Sequence, residues 1–215
     1  MILSAKYKIP EILFLWIIGF GGAIIFFNRI ITVEHYIIAI FYFSIISIIA
    51  LKLFEDAFKD IQKTMGKNKL FLILGCLMIH TLISSLSIGF LKNPEITNVE
   101  TQVSFLNAGQ YFLWAKPFEI LLQQTLIFIL IKKLNENNLS LKKIILLYAI
   151  LFGINHILLI PITGLYFGLY FTIFALLSAI IFPYNIIKRK NGYLYNIIIH
   201  ITFYDISAII FRFLS

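Results

Sequence analysis

The sequence predicts an all-α protein, a polytopic integral membrane bundle of about seven transmembrane helices. Three observations predict it. The 215 residues are 60% hydrophobic and 13% charged, whereas a soluble domain carries about a quarter charged residues. The apolar residues gather into runs close to the roughly 20 residues that a helix needs to cross a bilayer core. The basic residues fall between those runs, crowded on alternate connections.

Spans are expected at roughly 11–28, 35–53, 69–91, 106–131, 142–160, 162–184 and 193–213. The first run follows Lys6 and Lys8, as a signal peptide would. No small-x-small cleavage site follows it and further spans come after, so it reads as an uncleaved first helix. The third contains Cys76, the single cysteine, which excludes an intrachain disulfide. The fourth is interrupted by Lys116 and Pro117. Proline suits the first position of a helix. The spanning helix is therefore expected from Pro117, with 105–115 at the outer interface or re-entering. In the sixth, Gly164 and Gly168 form a small-xxx-small pair that reads as close helix packing.

The connections set the topology. The second holds Lys52, Lys59, Lys63, Lys67 and Lys69, the fourth Lys132, Lys133, Lys142 and Lys143, and the sixth Lys188, Arg189 and Lys190. The odd connections are poor in positive charge. The alternation puts the N-terminus and the even connections in the cytoplasm and the chain in the cell membrane. A net charge of +8 would raise nucleic acid in a soluble protein. Here the cations serve as topology signals, so the expected partner is membrane lipid and no nucleic acid.

Ionisable groups inside a bilayer are costly and each needs a reason. Of ten acidic residues, only Glu119 and Asp205 lie well inside a span, and His80, His156 and His200 lie inside as well. At about 1.5 Å per residue, Glu119 and Asp205 sit roughly 18 Å from the Lys-rich end, His156 roughly 20 Å, Gln123 roughly 12 Å and His200 roughly 10 Å. Glu119 and Gln123, four apart, share a helix face. His200 and Asp205, five apart, match one face more loosely. Three readings stay open: a hydrolytic site in which a carboxylate and imidazoles polarise a water, a structural network holding helices together, and a proton relay of a transporter. His80, near Ser84 and Ser85 with no acidic neighbour, reads as a hydrogen-bonded packing residue. No His-Glu-x-x-His or Cys/His cluster marks a metal site, and no cofactor is implied.

The C-terminal half resembles the CPBP intramembrane proteases, the family of the CAAX prenyl endopeptidase and of bacteriocin-processing or immunity proteins. That family carries Glu-Glu-x-x-x-Arg, Phe-x-x-x-His and His-x-x-x-Asn/Asp on successive helices. The second motif matches at Phe152-Gly153-Ile154-Asn155-His156. The third matches at His200, which follows the basic-Gly-aromatic turn Lys190-Asn191-Gly192-Tyr193; its fourth following residue is Tyr204, with Asp205 next. The first motif is degenerate. In Pro117-Phe118-Glu119-Ile120-Leu121-Leu122-Gln123 the second Glu is kept as Glu119 and Gln123 stands at the Arg. A rival register puts Gln123 and Gln124 at the Glu pair. The resemblance covers roughly 105–215, leaving 1–104 as N-terminal helices of one membrane domain. It implies an endopeptidase acting on a membrane-associated peptide or protein, without a required metal. Glu119 would be the base, His156 would hold the water and His200 would stabilise the oxyanion. Gln123, Phe152, Asn155, Tyr204 and Asp205 would support them. The alternative is a non-enzymatic relative, of immunity or binding type, or a transporter.

Overall fold

The computed structural model describes residues 9–22, 36–64, 67–90, 111–157 and 160–214. Among the described residues every regular element is helical. Helix α1 (Ile9–Trp16) runs into a π-helical turn, Ile17–Gly22. Then follow α2 (Tyr36–Leu53), α3 (Glu55–Thr64) and α4 (Lys67–Phe90). Wide turns at Tyr111–Ala115 lead directly into α5 (Lys116–Glu136). Helix α6 (Leu141–Ile157), a single turn at Ile160–Thr163, α7 (Leu165–Lys188) and α8 (Gly192–Leu214) complete the chain.

These segments are helical because Ile, Leu and Phe crowd them on all sides, leaving no polar face to define a strand or a surface helix. Helix α5 is the hub. It packs against α1, α2, α6, α7 and α8, and Ile120, Leu122, Leu126, Ile127, Ile129 and Ile131 are fully buried. Helices α6 and α7 run side by side, and α4 rests mainly on α8. The outer faces are apolar too: Phe41, Phe71, Met78 and Ile173 are all more than half exposed. An apolar surface of that extent is what a lipid-facing bundle presents and what a soluble monomer avoids.

Among the described residues four stretches are long and apolar enough to cross a membrane: Tyr36–Leu53, Tyr111–Glu136, Gly168–Lys188 and Gly192–Ile210. They point to membrane association. The count is lower than the seven expected runs. In the first run Ile9–Gly19 and, within the 24-residue α4, Phe71–Leu86 are the apolar stretches among the described residues, and α6 has 17 residues. The fourth run is one continuous helical stretch through Lys116 and Pro117, because the proline sits at the start of α5, where its missing N–H costs nothing. Residues 105–110 lie outside the described residues.

Two connections differ from expectation. The second is itself an amphipathic helix, α3, with Ala57 and Ile61 buried beside Phe54. Its Asp60 binds Lys132 of α5. That bond, helped by the nearby Lys63 and Lys133, holds the Asp60 carboxyl below its usual range against a smaller opposing effect of burial. Gly164 and Gly168 do not bring two long helices together. Gly164 has φ +79, a conformation L side chains rarely adopt, and a side chain on Gly168 would run into Ile160 in the preceding turn.

The α7–α8 corner is tighter. Asn185 Nδ2 donates to Asn196 Oδ1 at 2.9 Å, and Asn196 Nδ2 donates to the Phe182 carbonyl at 3.2 Å. Gly192 lies so close to the Asn185 carbonyl and the Ile186 nitrogen that a Cβ would overlap them. Gly192→Ala is therefore expected to destabilise the protein by about 1–3 kcal/mol. Gly75→Ala on α4, where nothing lies within 4 Å of the added carbon, should be neutral or gain about 0.5–1 kcal/mol. Thermal unfolding in detergent checks the contrast, and equal effects at the two positions would refute the close approach.

Candidate functional site

The polar site begins at the head of α5. Lys116, Glu119 and Gln123 are spaced i, i+3 and i+7, so they stack along one stripe of the helix. Lys116 Nζ donates to Glu119 Oε1 at 2.7 Å and Gln123 Nε2 donates to the same oxygen at 3.1 Å. The Tyr111 hydroxyl donates to Oε2 at 3.1 Å. Lys116 is 2% exposed, and its ammonium also lies 4.0 Å from the centre of the Tyr204 ring. The buried cation is thus met by a carboxylate on one side and an aromatic face on the other. The carboxylate also sits in the first turn of α5, where the helix dipole favours negative charge.

Tyr204 links this group to His200. Their rings stack at 5.3 Å between centroids with a 25° interplanar angle. On its other side His200 Nδ1 meets Gln124 Nε2 at 2.7 Å. With the Gln124 amide in this orientation Nδ1 accepts and a neutral ring would carry its proton on Nε2, while Gln124 Oε1 has no partner among the described residues. His156 has the opposite tautomer. Its Nδ1 lies 2.8 Å from the Phe152 carbonyl, which only accepts, so Nδ1 donates and Nε2 is left as an acceptor. Phe152 stacks on the His156 ring at 5.7 Å and is itself wedged against Tyr148 and Trp16. His200 lies within electrostatic range of both Lys116 and His156.

The expected residues therefore divide. Glu119, Gln123 and Tyr204 join one contact chain through Lys116, and His200 extends it through Tyr204. His156, held by Phe152, lies within electrostatic range of Lys116. Among the described residues no hydrogen bond links Glu119, His156 and His200 directly. The side chain of Asn155 lies outside the described residues. Among the described residues no three His, Cys, Asp or Glu side chains converge as a metal ion requires.

Asp205 is a correction. It does not support the site but pairs with His80 of α4, Oδ1 to Nδ1 at 2.6 Å, both groups almost fully buried. The reason is helix geometry: at about 100° per residue, a residue five after His200 points roughly 140° away, whereas Tyr204, four after, stays on the His200 face. His80 Nε2 meets the Phe112 carbonyl at 3.1 Å. His80 thus has its acidic neighbour after all, brought from 125 residues away. Nε2–H donates to the Phe112 carbonyl and Nδ1 meets the Asp205 carboxyl, so both ring nitrogens are engaged. The reading of His80 as a hydrogen-bonded packing residue agrees with this clamp between α4, α8 and the Tyr111–Ala115 turns.

Sequence reasoning missed Lys116 and Tyr111, and it used Gln124 only in the rival register. The i, i+3 spacing of Lys116 and Glu119 was the available signal. Comparisons with protein-family models, with curated proteins and with solved structures find no match for the chain.

The clamp yields a test. Asp205→Leu leaves His80 Nδ1 without its buried partner and is expected to cost about 1–3 kcal/mol. The double replacement His80→Leu with Asp205→Leu removes both polar partners and should recover most of that loss. A double-mutant cycle on unfolding in detergent measures the coupling, and simple additivity would exclude the pair as a clamp.

Proposed function

We propose that the chain is a seven-span membrane hydrolase of CPBP type, with its N-terminus and its Lys-rich connections on the cytoplasmic side of the cell membrane. Its substrate is a peptide or protein in or next to the bilayer. Glu119 takes the proton of a water, His156 holds that water through its Nε2 acceptor, and His200 offers Nε2–H to the developing oxyanion. Lys116 supplies the cation that the family motif draws from its arginine. Gln123 and Tyr204 keep the Glu119–Lys116 pair in place, and Phe152 fixes the His156 ring.

What supports this reading is two histidines anchored at Nδ1, His156 by the Phe152 carbonyl and His200 by Gln124, both within electrostatic range of Lys116, which pairs with the partly buried Glu119 carboxylate. Hydrolysis of a carbonyl needs a proton acceptor for the water and a donor for the oxyanion. One observation favours a non-enzymatic protein of immunity, binding or transport type. Glu119 already accepts from Lys116, Gln123 and Tyr111, as a structural latch would.

Glu119→Gln separates the two. In the hydrolase, cleavage of a membrane-proximal peptide library by the reconstituted protein should fall by about 10²–10⁴-fold. In the latch, the wild type does not cleave, and the substitution costs about 1–3 kcal/mol of stability alone. Orientation is tested independently by single cysteines at positions 64 and 136 in a Cys76→Ala background. An impermeant thiol reagent should leave both unlabelled in intact cells and label both after lysis. Strong labelling from outside would reverse the topology.

A further inference from the structure

A cavity of about 370 Å³ opens at the end of the bundle where α5 finishes and α8 begins. It lies far from Glu119, which is at the opposite end of α5. Four cations line it: Lys63 from α3, Lys132 from α5, and Arg189 and Lys190 from the α7–α8 turn. One carboxylate lines it, Asp60, and that group is already engaged by Lys132. Lys132 is further matched by Glu136 at 3.8 Å. Among the described residues no carboxylate pairs with Arg189 or Lys190. Arg189 instead lies near the Tyr184 and Tyr195 rings, 5.9 and 5.8 Å from their centroids. Phe128, Ile186 and Ile187 give the wall an apolar stretch, beside Asn135, Gly192 and Tyr193.

A soluble anion would use the cationic rim and leave the apolar wall uncovered. A polar headgroup carrying a hydrocarbon chain uses both. The cavity also sits at span ends, beside the amphipathic α3, at the level where headgroups meet acyl chains. We propose that it binds an anionic phospholipid. The phosphodiester lies against Arg189, Lys190 and Lys63, and the upper part of an acyl chain runs over Phe128 and Ile186. Basic pockets between helix ends are where such headgroups bind. The proposal rests on the membrane reading of the chain and is independent of hydrolysis.

The test uses the full chain in nanodiscs and in detergent. Native mass spectrometry or a lipid titration compares phosphatidylglycerol with phosphatidylcholine. The wild type should prefer phosphatidylglycerol. Arg189→Gln with Lys190→Gln should lower that preference about 30-fold, since each basic residue at an anionic surface contributes roughly fivefold. The control pair Lys142→Gln with Lys143→Gln, at the same end but outside the cavity, should change it little, and Arg189→Lys with Lys190 intact should retain most of it. Thermal stability in phosphatidylcholine nanodiscs confirms that each variant is folded. Equal loss from the control pair would show diffuse surface attraction and overturn the site. So would displacement of phosphatidylglycerol by inorganic phosphate at equal concentration, or equal binding of the two lipids by the wild type. Loss of lipid preference with cleavage unchanged would leave the hydrolase reading standing, so the two proposals fail separately.

Discussion

A lysine ammonium at 2% exposure in a bundle this apolar is stable only if its charge is answered on the spot. Lys116 is answered by Glu119 at 2.7 Å and by the Tyr204 ring at 4.0 Å, and much of the arrangement around it follows. The pair fixes the first turn of α5, the helix against which α1, α2, α6, α7 and α8 all pack. Because Tyr204 belongs to α8, its contact with the ammonium sets how closely α8 approaches α5. Because Tyr204 also stacks on His200, it sets the plane of that imidazole. A hydrophobic contact could bring these helices together, but it has no direction and would let them slide. The contact of the Lys116 ammonium with the Tyr204 ring gives α5 and α8 a register.

Helix α8 carries most of the polar links of the bundle on successive faces. Asn196 faces α7, His200 and Tyr204 face α5, Asp205 faces α4, and Ser207 meets Tyr170 of α7 at 2.9 Å. An apolar helix that turns a polar group toward each neighbour can pack in only one rotation. Helix α4 shows the other extreme. Its outer residues Phe71 and Met78 are about three-quarters exposed, and it is held to α8 mainly through His80. The candidate site lies where α5 and α8 meet, two helices joined by Gln124–His200, Thr125–Tyr193 and Lys116–Tyr204 contacts.

Much of this was legible in the sequence. Run length and composition identified the helices, and the cost of burying charge singled out Glu119, His156 and His200. What stayed hidden has physical reasons. Lys116 was read as a break in a span, because a lone lysine in an apolar run looks like a helix end until its partner three residues later is considered. The connection at 55–64 enters the sequence reading only through its lysines, although Ala57 and Ile61 at i, i+4 form a short apolar stripe. The assignment of Asp205 could have been refused from the helix angle alone, but its true partner could not have been found. His80 is 125 residues away, and nothing local in either span records the pairing.

Under the proposed CPBP reading, the segment around Glu119 differs from the pattern of that family by a movement of charge. The pattern places an arginine four residues after its second glutamate, one turn toward the C-terminal end of the helix. Here Gln123 occupies that place and the cation stands at Lys116, nearly one turn on the other side of Glu119. Either position lies within reach of the carboxylate, because i+4 and i−3 are both neighbours on the helix surface. The exchange changes which lone pairs are used. Lys116 and Gln123 both take Oε1, and Tyr111 takes one direction on Oε2. A carboxylate has about four acceptor directions, so one remains, on Oε2. A group that accepts a fourth bond there, from a water, is a base held in position by three donors. The same group with that direction closed off is a latch. The chemistry of the site therefore turns on a single lone pair, and the residue beside it on Oε2 is Tyr111, not any residue of the motif itself.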